Sequence, residues 1–176
     1  EFLFMVPCTS QIKRIRVVIM IKVAIGQDSH RFDFDNKNKK LVLGGVVFDG
    51  PPLKGNSDAD VVLHSLTNAI SGITGVNILG EIADRICLEE GISDSRVYVK
   101  EALKYFNGDI CHVSFSIECL TPKITPKIPE IKKSIADLLN ISENNIGITA
   151  TTGEGLTDFG KGLGIQCFCI LTAMTR

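Results

Sequence analysis

Asp28-Ser29-His30 and, further along, Ser57-Asp58-Ala59-Asp60 with His64 gather two of the chain's three histidines beside several carboxylates. Asp28 and His30 are two residues apart and follow the β-branched apolar run Val17 to Ile25, so both side chains should leave a strand end on one face. His64 must arrive from elsewhere in the fold. Either histidine alone reads as an ordinary surface or hydrogen-bonded residue; together with Asp28 they read as a divided metal site. One oxygen and two imidazole ligands suit Zn2+, and three protein ligands leave a fourth tetrahedral position for substrate or water. Asp58 and Asp60 have two readings. They can stabilise a helix start through the macrodipole, or support a metal-bound imidazole, whose second NH generally donates to a carboxylate or carbonyl. The free amides of such a helix start can also hold phosphate.

A second chemical segment is Thr149-Ala150-Thr151-Thr152-Gly153-Glu154-Gly155, where a strand gives way to a glycine-rich turn. Its hydroxyls and backbone NH groups can bind phosphate oxygens, and Glu154 can coordinate a hard cation such as Mg2+ that also binds those oxygens. Gly155 to Gly162 satisfies GxxxxGK and then places Gly162 where a P-loop needs a hydroxyl. The strand that follows offers no helix N-terminus, so a P-loop ATPase is excluded. Thr121-Pro122-Lys123 on local grounds is a connection with an exposed lysine. His112 begins a strand without acidic company and reads as an edge residue.

The elements that must position these groups follow from periodicity. Val17 to Ile25 and Leu41 to Phe48 read as strands around a polar connection, a hairpin with a long loop. Ser57 can cap a helix over Asp58 to Ser71, with Asp60 imitating the capping-box acid and His64 four residues on along the same face. A second helix fits Asp94 to Phe106, with Ser93 as cap and Gly108 as stop. Ile110 to Leu120 alternates as a half-buried strand. Thr125-Pro126 starts a third helix with an apolar stripe at Ile128, Ile131, Ile135 and Leu138. Asn145 to Ala150 and Leu163 to Thr172 complete the strands. The mixture predicts one α+β domain, a sandwich of sheet and helices.

A length of 176 residues and an apolar share of 44% suit one globular domain without disulfides. A net charge of -1 provides no field for nucleic acid or an anionic membrane, so partners should be small molecules. Cys8, Cys87, Cys111, Cys119, Cys167 and Cys169 contain no CxxC pair and are expected to be buried, reduced thiols. Glu1-Phe2 is of the kind a cloning site leaves, and Met5 or Met20 is a candidate start, so residues 1–20 are expected to be an N-terminal extension and 21–176 the domain. The run Val17 to Ile21 is too short to span a membrane, and no clear cleavage site follows it; a bacterial-type cytoplasmic location is expected.

In this order, GQDSH at Gly26 to His30, LGG at Leu43 to Gly45, SDADVVLH at Ser57 to His64, DSR at Asp94 to Arg96, TPK at Thr121 to Lys123 and ATTGEGL at Ala150 to Leu156 resemble the 2-C-methyl-D-erythritol 2,4-cyclodiphosphate synthase family. The resemblance spans about Val23 to Thr172. It implies a ferredoxin-like, cyclodiphosphate-synthase-like fold, assembled as a homotrimer with sites between neighbours. It also implies cyclisation of 4-diphosphocytidyl-2-C-methyl-D-erythritol 2-phosphate with release of CMP, in non-mevalonate isoprenoid-precursor synthesis. Asp28, His30 and His64 match the zinc ligands, and Glu154 matches the residue that holds Mg2+ or Mn2+ between two phosphates. Glu154 and Asp60 are the expected catalytic carboxylates. Substrate contacts are expected at Asn56, Ser57, Thr121, Pro122, Lys123, Thr151, Thr152 and Lys161. Asn56 stands where many relatives carry His, and Ile78-Leu79-Gly80 replaces a DIG segment whose Asp binds ribose hydroxyls. Ala83-Asp84-Arg85 replaces a Phe-Pro-Asp segment, and Lys161 and Leu163 replace an Arg and a Glu near the threefold axis. The altered ribose and loop segment motivates an alternative, a catalytically lapsed metal-binding trimer that binds a nucleotide or diphosphate.

Overall fold

The computed structural model describes residues 19–175. The expectations for residues 1–18, Cys8 included, lie outside the described residues. Strands β1 (Met20–Arg31), β4 (Asp109–Glu118), β5 (Ile146–Thr151) and β6 (Gly164–Thr175) form one sheet in the order β1-β6-β4-β5. A hairpin of β2 (Leu41–Leu43) and β3 (Val46–Phe48) stands apart. Four helices, α1 (Val61–Thr74), the short α2 (Glu81–Asp84), α3 (Arg96–Leu103) and α4 (Ile128–Leu139), complete the main elements.

The long hairpin expected between the first two apolar runs does not form. β1 pairs antiparallel with β6, more than a hundred residues away, while Leu41 to Phe48 folds on itself over Gly44 and Gly45. Both glycines have positive φ, 61° and 77°, which an L side chain adopts only at a cost in strain. A ferredoxin-like sheet is also corrected. β4 and β5 are parallel, joined by a crossover through α4, so the sheet is mixed.

The sheet buries one face. Ile165, Cys167, Cys169, Leu171 and Ala173 alternate inward along β6, whereas Phe168, Ile170 and Met174 between them are exposed. Helix α1 crosses β1 at Gly26, where an added Cβ would lie 2.0 Å from the Ser65 carbonyl and 2.4 Å from the Ala69 nitrogen. This close approach brings His64 over the end of β1. Buried Ile131, Ile135 and Leu139 form the inner stripe of α4. Of the cysteines, Cys119, Cys167 and Cys169 are buried, but Cys87 and Cys111 are only half-buried, which corrects the expectation for those two; all five are free thiols. Burial pushes the Cys167 thiol up to about 12.

Candidate active site

Asp28 and His30 leave the end of β1 on the helix-covered side, and His64 descends from the first turn of α1. One ligand atom from each lies within 4.8 Å of the others. The Asp28 Oδ2 atom is 3.1 Å from His30 Nε2 and 3.0 Å from His64 Nδ1. Burial acts to raise the Asp28 carboxyl, yet its bonds to the two imidazoles outweigh it and hold the group well below the usual carboxylate range. Burial likewise works against a charged His30, but Asp28 lifts it above the ordinary imidazole value.

The outer nitrogens decide what the inner ones can do. His30 Nδ1 is 2.7 Å from the Lys54 carbonyl, which can only accept, so Nδ1 carries a proton, and the neutral imidazole keeps its Nε2 lone pair toward Asp28. His64 Nε2 faces the Ser95 hydroxyl at 2.9 Å, leaving Nδ1 toward the same oxygen. Two imidazole lone pairs and a carboxylate converging on one point repel unless a proton or cation lies between them. The donor set therefore fits a divalent cation, with the mixture of N and O ligands that suits zinc.

The acids before α1 divide their labour differently from the expectation. Asp60 is fully buried and is the N-cap of α1, accepting from Val62 N at 3.0 Å and Leu63 N at 3.1 Å. It also accepts from Gly44 N at 2.8 Å and Gly45 N at 2.7 Å, so LGG and SDAD form one hydrogen-bonded unit. Burial pushes its carboxyl up to about 6 against the pull of those amides. Its oxygens are engaged by backbone amides and reach no imidazole, which is the geometry of a positioning residue and gives the expected catalytic role no contact with the triad. Asp60 thus takes the capping place expected of Ser57, whose hydroxyl accepts from Ala59 N at 3.1 Å and lies 3.5 Å from His64 Nε2.

A cavity of about 340 Å³ opens beside the triad, lined by Asn56, Ser57, Leu79, Gly80, Asp84, Cys87 and Tyr98 among others. Helix α2 and a π-helical turn over Arg85–Glu89 form one wall; neither was expected from the sequence. A second cavity, about 330 Å³, contains Pro122, Lys123, Thr151 and Thr152 at the β4–β5 edge. Thr121 joins Pro122 through a cis peptide. Glu154 is exposed in the turn after β5, with φ of 49°, outside the triad and outside the lining of the first cavity. Lys161 lies in the turn before β6 with its Nζ 4.0 Å from the Asp158 carboxylate, and lines neither cavity. Asn56 and Ser57 thus join the triad, whereas Pro122, Lys123, Thr151 and Thr152 gather at the second cavity, and Thr121 and Glu154 line neither. The sequence reading missed Tyr98, Cys87 and Ser95; Ser95 had a signal in DSR, but its partner is distant in sequence.

Comparison with known proteins is consistent with this geometry. The profile of the YgbB family matches residues 21–174. A 2-C-methyl-D-erythritol 2,4-cyclodiphosphate synthase from Chlamydia felis is 49% identical over 156 residues, covering 87% of this chain and 89% of that relative. An IspF from Plasmodium falciparum, solved as a CDP complex, superposes with a TM-score of 0.76 at 27% identity, over 89% of this chain and 97% of that one. The bifunctional IspDF of Campylobacter jejuni gives a TM-score of 0.80 at 27% identity; 90% of this chain is covered, spanning 43% of the larger protein.

Proposed function

The chain belongs to the YgbB family, and from that premise we infer that it converts 4-diphosphocytidyl-2-C-methyl-D-erythritol 2-phosphate into 2-C-methyl-D-erythritol 2,4-cyclodiphosphate and CMP. This is a step of isoprenoid-precursor synthesis. The observation that carries it to particular residues is the convergence of His30 Nε2 and His64 Nδ1 on Asp28 beside the first cavity. In the reaction an oxygen of the 2-phosphate bonds to the β-phosphorus while the bond from that phosphorus to the CMP oxygen breaks. The substrate supplies the nucleophile. The protein's task is alignment of the attacking and leaving oxygens, together with neutralisation of their charge.

Asp28, His30 and His64 would hold zinc, and Glu154 would hold Mg2+ or Mn2+. Bound cations supply Lewis-acid polarisation and charge neutralisation at the phosphates. Ser57 and Asn56 line the triad's cavity and would contact phosphate or sugar. Thr121, Pro122, Lys123, Thr151 and Thr152 would receive the cytidyl diphosphate, a reading supported by the CDP complex of the Plasmodium falciparum relative. Lys161, which lines neither cavity, would contact substrate only as the family resemblance implies.

A homotrimer is part of this proposal. Ile25, Phe168 and Ile170 are exposed on the open face of the sheet, Ile25 to 64%, and no described element covers them. An apolar sheet face of this kind favours burial against another copy. A bacterial-type cytoplasmic setting belongs to the same reading and draws on the bacterial relatives.

Product analysis tests the assignment. With the cytidyl substrate, Zn2+ and Mg2+, equal amounts of CMP and cyclic diphosphate are expected; a linear, water-derived product alone would sink it. His64→Ala should lose zinc, whereas Glu154→Gln should keep it and lose most turnover.

A further inference from the structure

The DSR motif has no place in the chemistry above, yet its serine is among the most enclosed polar residues of the chain. Ser95 is 0% exposed. It stands at the N-cap of α3 but its side chain makes no capping bond. Its hydroxyl instead lies 2.9 Å from His64 Nε2 and donates to Asp58 Oδ1. The Ser95 backbone NH donates to the other Asp58 oxygen at 3.1 Å, so serine and carboxylate are joined twice. Asp58 is itself fixed, because its Oδ1 accepts from Asp60 N at 3.2 Å and its own NH donates to the Ser93 carbonyl at 2.8 Å.

Proton counting gives this chain a direction. A serine hydroxyl has one proton to donate, and an ionised carboxylate can only accept. The Ser95 proton therefore goes to Asp58, and Ser95 Oγ can only accept from His64. That requires a proton on His64 Nε2, so in the neutral imidazole a cation, and not a proton, must lie between Nδ1 and Asp28 Oδ2, 3.0 Å away. Ser57 Oγ, at 3.5 Å from the same Nε2, is too distant to compete strongly. For His30 the corresponding acceptor is the Lys54 carbonyl, a backbone group.

We propose that Ser95, oriented by Asp58, is the positioning residue that fixes His64 in the Nε2–H tautomer and so prepares Nδ1 as a ligand of the divalent cation. The proposal rests on the triad being a cation site. Partners of this kind are typically worth about 10- to 100-fold in metal affinity. Asp58→Asn is the discriminating change. An amide NH at residue 58 can donate to Ser95 Oγ, releasing the serine proton to His64 Nε2 and driving the imidazole proton onto Nδ1, the wrong side.

The test uses the full chain without substrate. Zinc dissociation constants are measured by competition with a chromophoric chelator for the unaltered protein, Ser95→Ala and Asp58→Asn. Long-range proton–nitrogen correlation spectra of the zinc-loaded proteins report how firmly the Nε2 proton of His64 is held against exchange with water. A roughly 10- to 100-fold weakening in both variants is expected. The His64 Nε2 proton should exchange faster in both variants, with His30 unchanged as an internal control. Ser95→Ala with full zinc affinity and unchanged His64 exchange would overturn the proposal. If the unaltered chain binds no zinc, the cation reading itself fails, a different result from the first.

Discussion

Chains carrying His64→Ala and chains carrying Glu154→Gln should each be inactive alone and regain activity when mixed, because the two halves of the proposed site stand far apart in one chain. Asp28, Cys167, Ile117 and Ala150 form one row across the sheet. The strand end bearing the triad is therefore three strand spacings from the one that leads into Thr151 and Glu154, about 14 Å. The turn after β5 leans over β4, where a Cβ on Gly153 would meet Glu118 Oε1 at 2.0 Å. Even from there two spacings remain, roughly 10 Å. A cation at Glu154 that shares a diphosphate with the triad must then meet another chain's triad. In a closed ring each site needs an intact triad from one chain and an intact Glu154 from its neighbour. Random mixing at equal amounts satisfies both at about one site in four, whatever the ring size, so CMP release should reach about a quarter of the unaltered rate. The yield should follow the product of the two fractions and peak at equal mixing. Subunits exchanged in mild denaturant, with hybrids verified by native mass spectrometry, provide the assay. Hybrids that stay at the parents' residual rate would refute the reasoning, since both groups would then serve one site from one chain.

Two other outcomes follow from the scaffold. Asp60→Ala removes the α1 cap, worth about 1 kcal/mol, and strands the Gly44 and Gly45 amides at about 1–3 kcal/mol each. Relief of a buried charge offsets part of this, leaving a net loss of about 2–4 kcal/mol in urea unfolding; a loss below about 0.5 kcal/mol would remove Asp60 as the tie between hairpin and helix. The metal-free protein should also lose stability between mildly acidic pH and pH 8. His30 is raised in the fold, so its contribution is complete below the ordinary imidazole pKa and vanishes as pH climbs through the raised one. Asp60, pushed up to about 6, favours the fold in its protonated form and acts in the same direction between the ordinary carboxylate pKa and 6. Asp28 is depressed, so its contribution stands above the ordinary carboxylate range and fails only in stronger acid. Saturating zinc should reverse the slope, because ligation needs neutral imidazoles. Melting temperatures that rise from pH 6 to 8 without metal would refute the His30 contribution.

The sequence pattern disclosed element types better than element partners. Alternation along β6 and the apolar spacing of α4 are local properties, and both elements form where periodicity places them. Pairing of β1 with β6 is not local; the first apolar runs looked like a hairpin because neighbouring strands usually pair. Ser57 and Asp60 were both chemically eligible as caps. Gly44 and Gly45 settle the matter by presenting two amides to Asp60, and nothing near Asp60 in sequence announces them. Residues 81–89 carry charge and apolar groups without a clean period, so the wall they form beside the triad was not legible. The triad itself was, since ligand chemistry and spacing survive without knowledge of the fold.

Asp58 and Asp60 show why the triad's geometry depends on residues that do not touch it. Asp60 ties the β2–β3 hairpin to the start of α1, and Asp58 ties α3 to that same start through Ser95. Gly26 lets α1 lie directly on β1, which fixes the height of His64 above Asp28. LGG, SDAD, DSR and the glycine of GQDSH are thus four restraints on one imidazole. A pair of acids at a helix N-terminus would ordinarily need no further account than the macrodipole. Here both carboxylates are committed to specific amides and a hydroxyl, which the dipole alone would not require. The cation corner is consequently complete within one chain, whereas the cavity of Pro122, Lys123, Thr151 and Thr152 is held at the opposite edge of the sheet. A fold that completes the triad within one chain and holds the second cavity at the opposite edge of the sheet suits the proposed docking against its own copy.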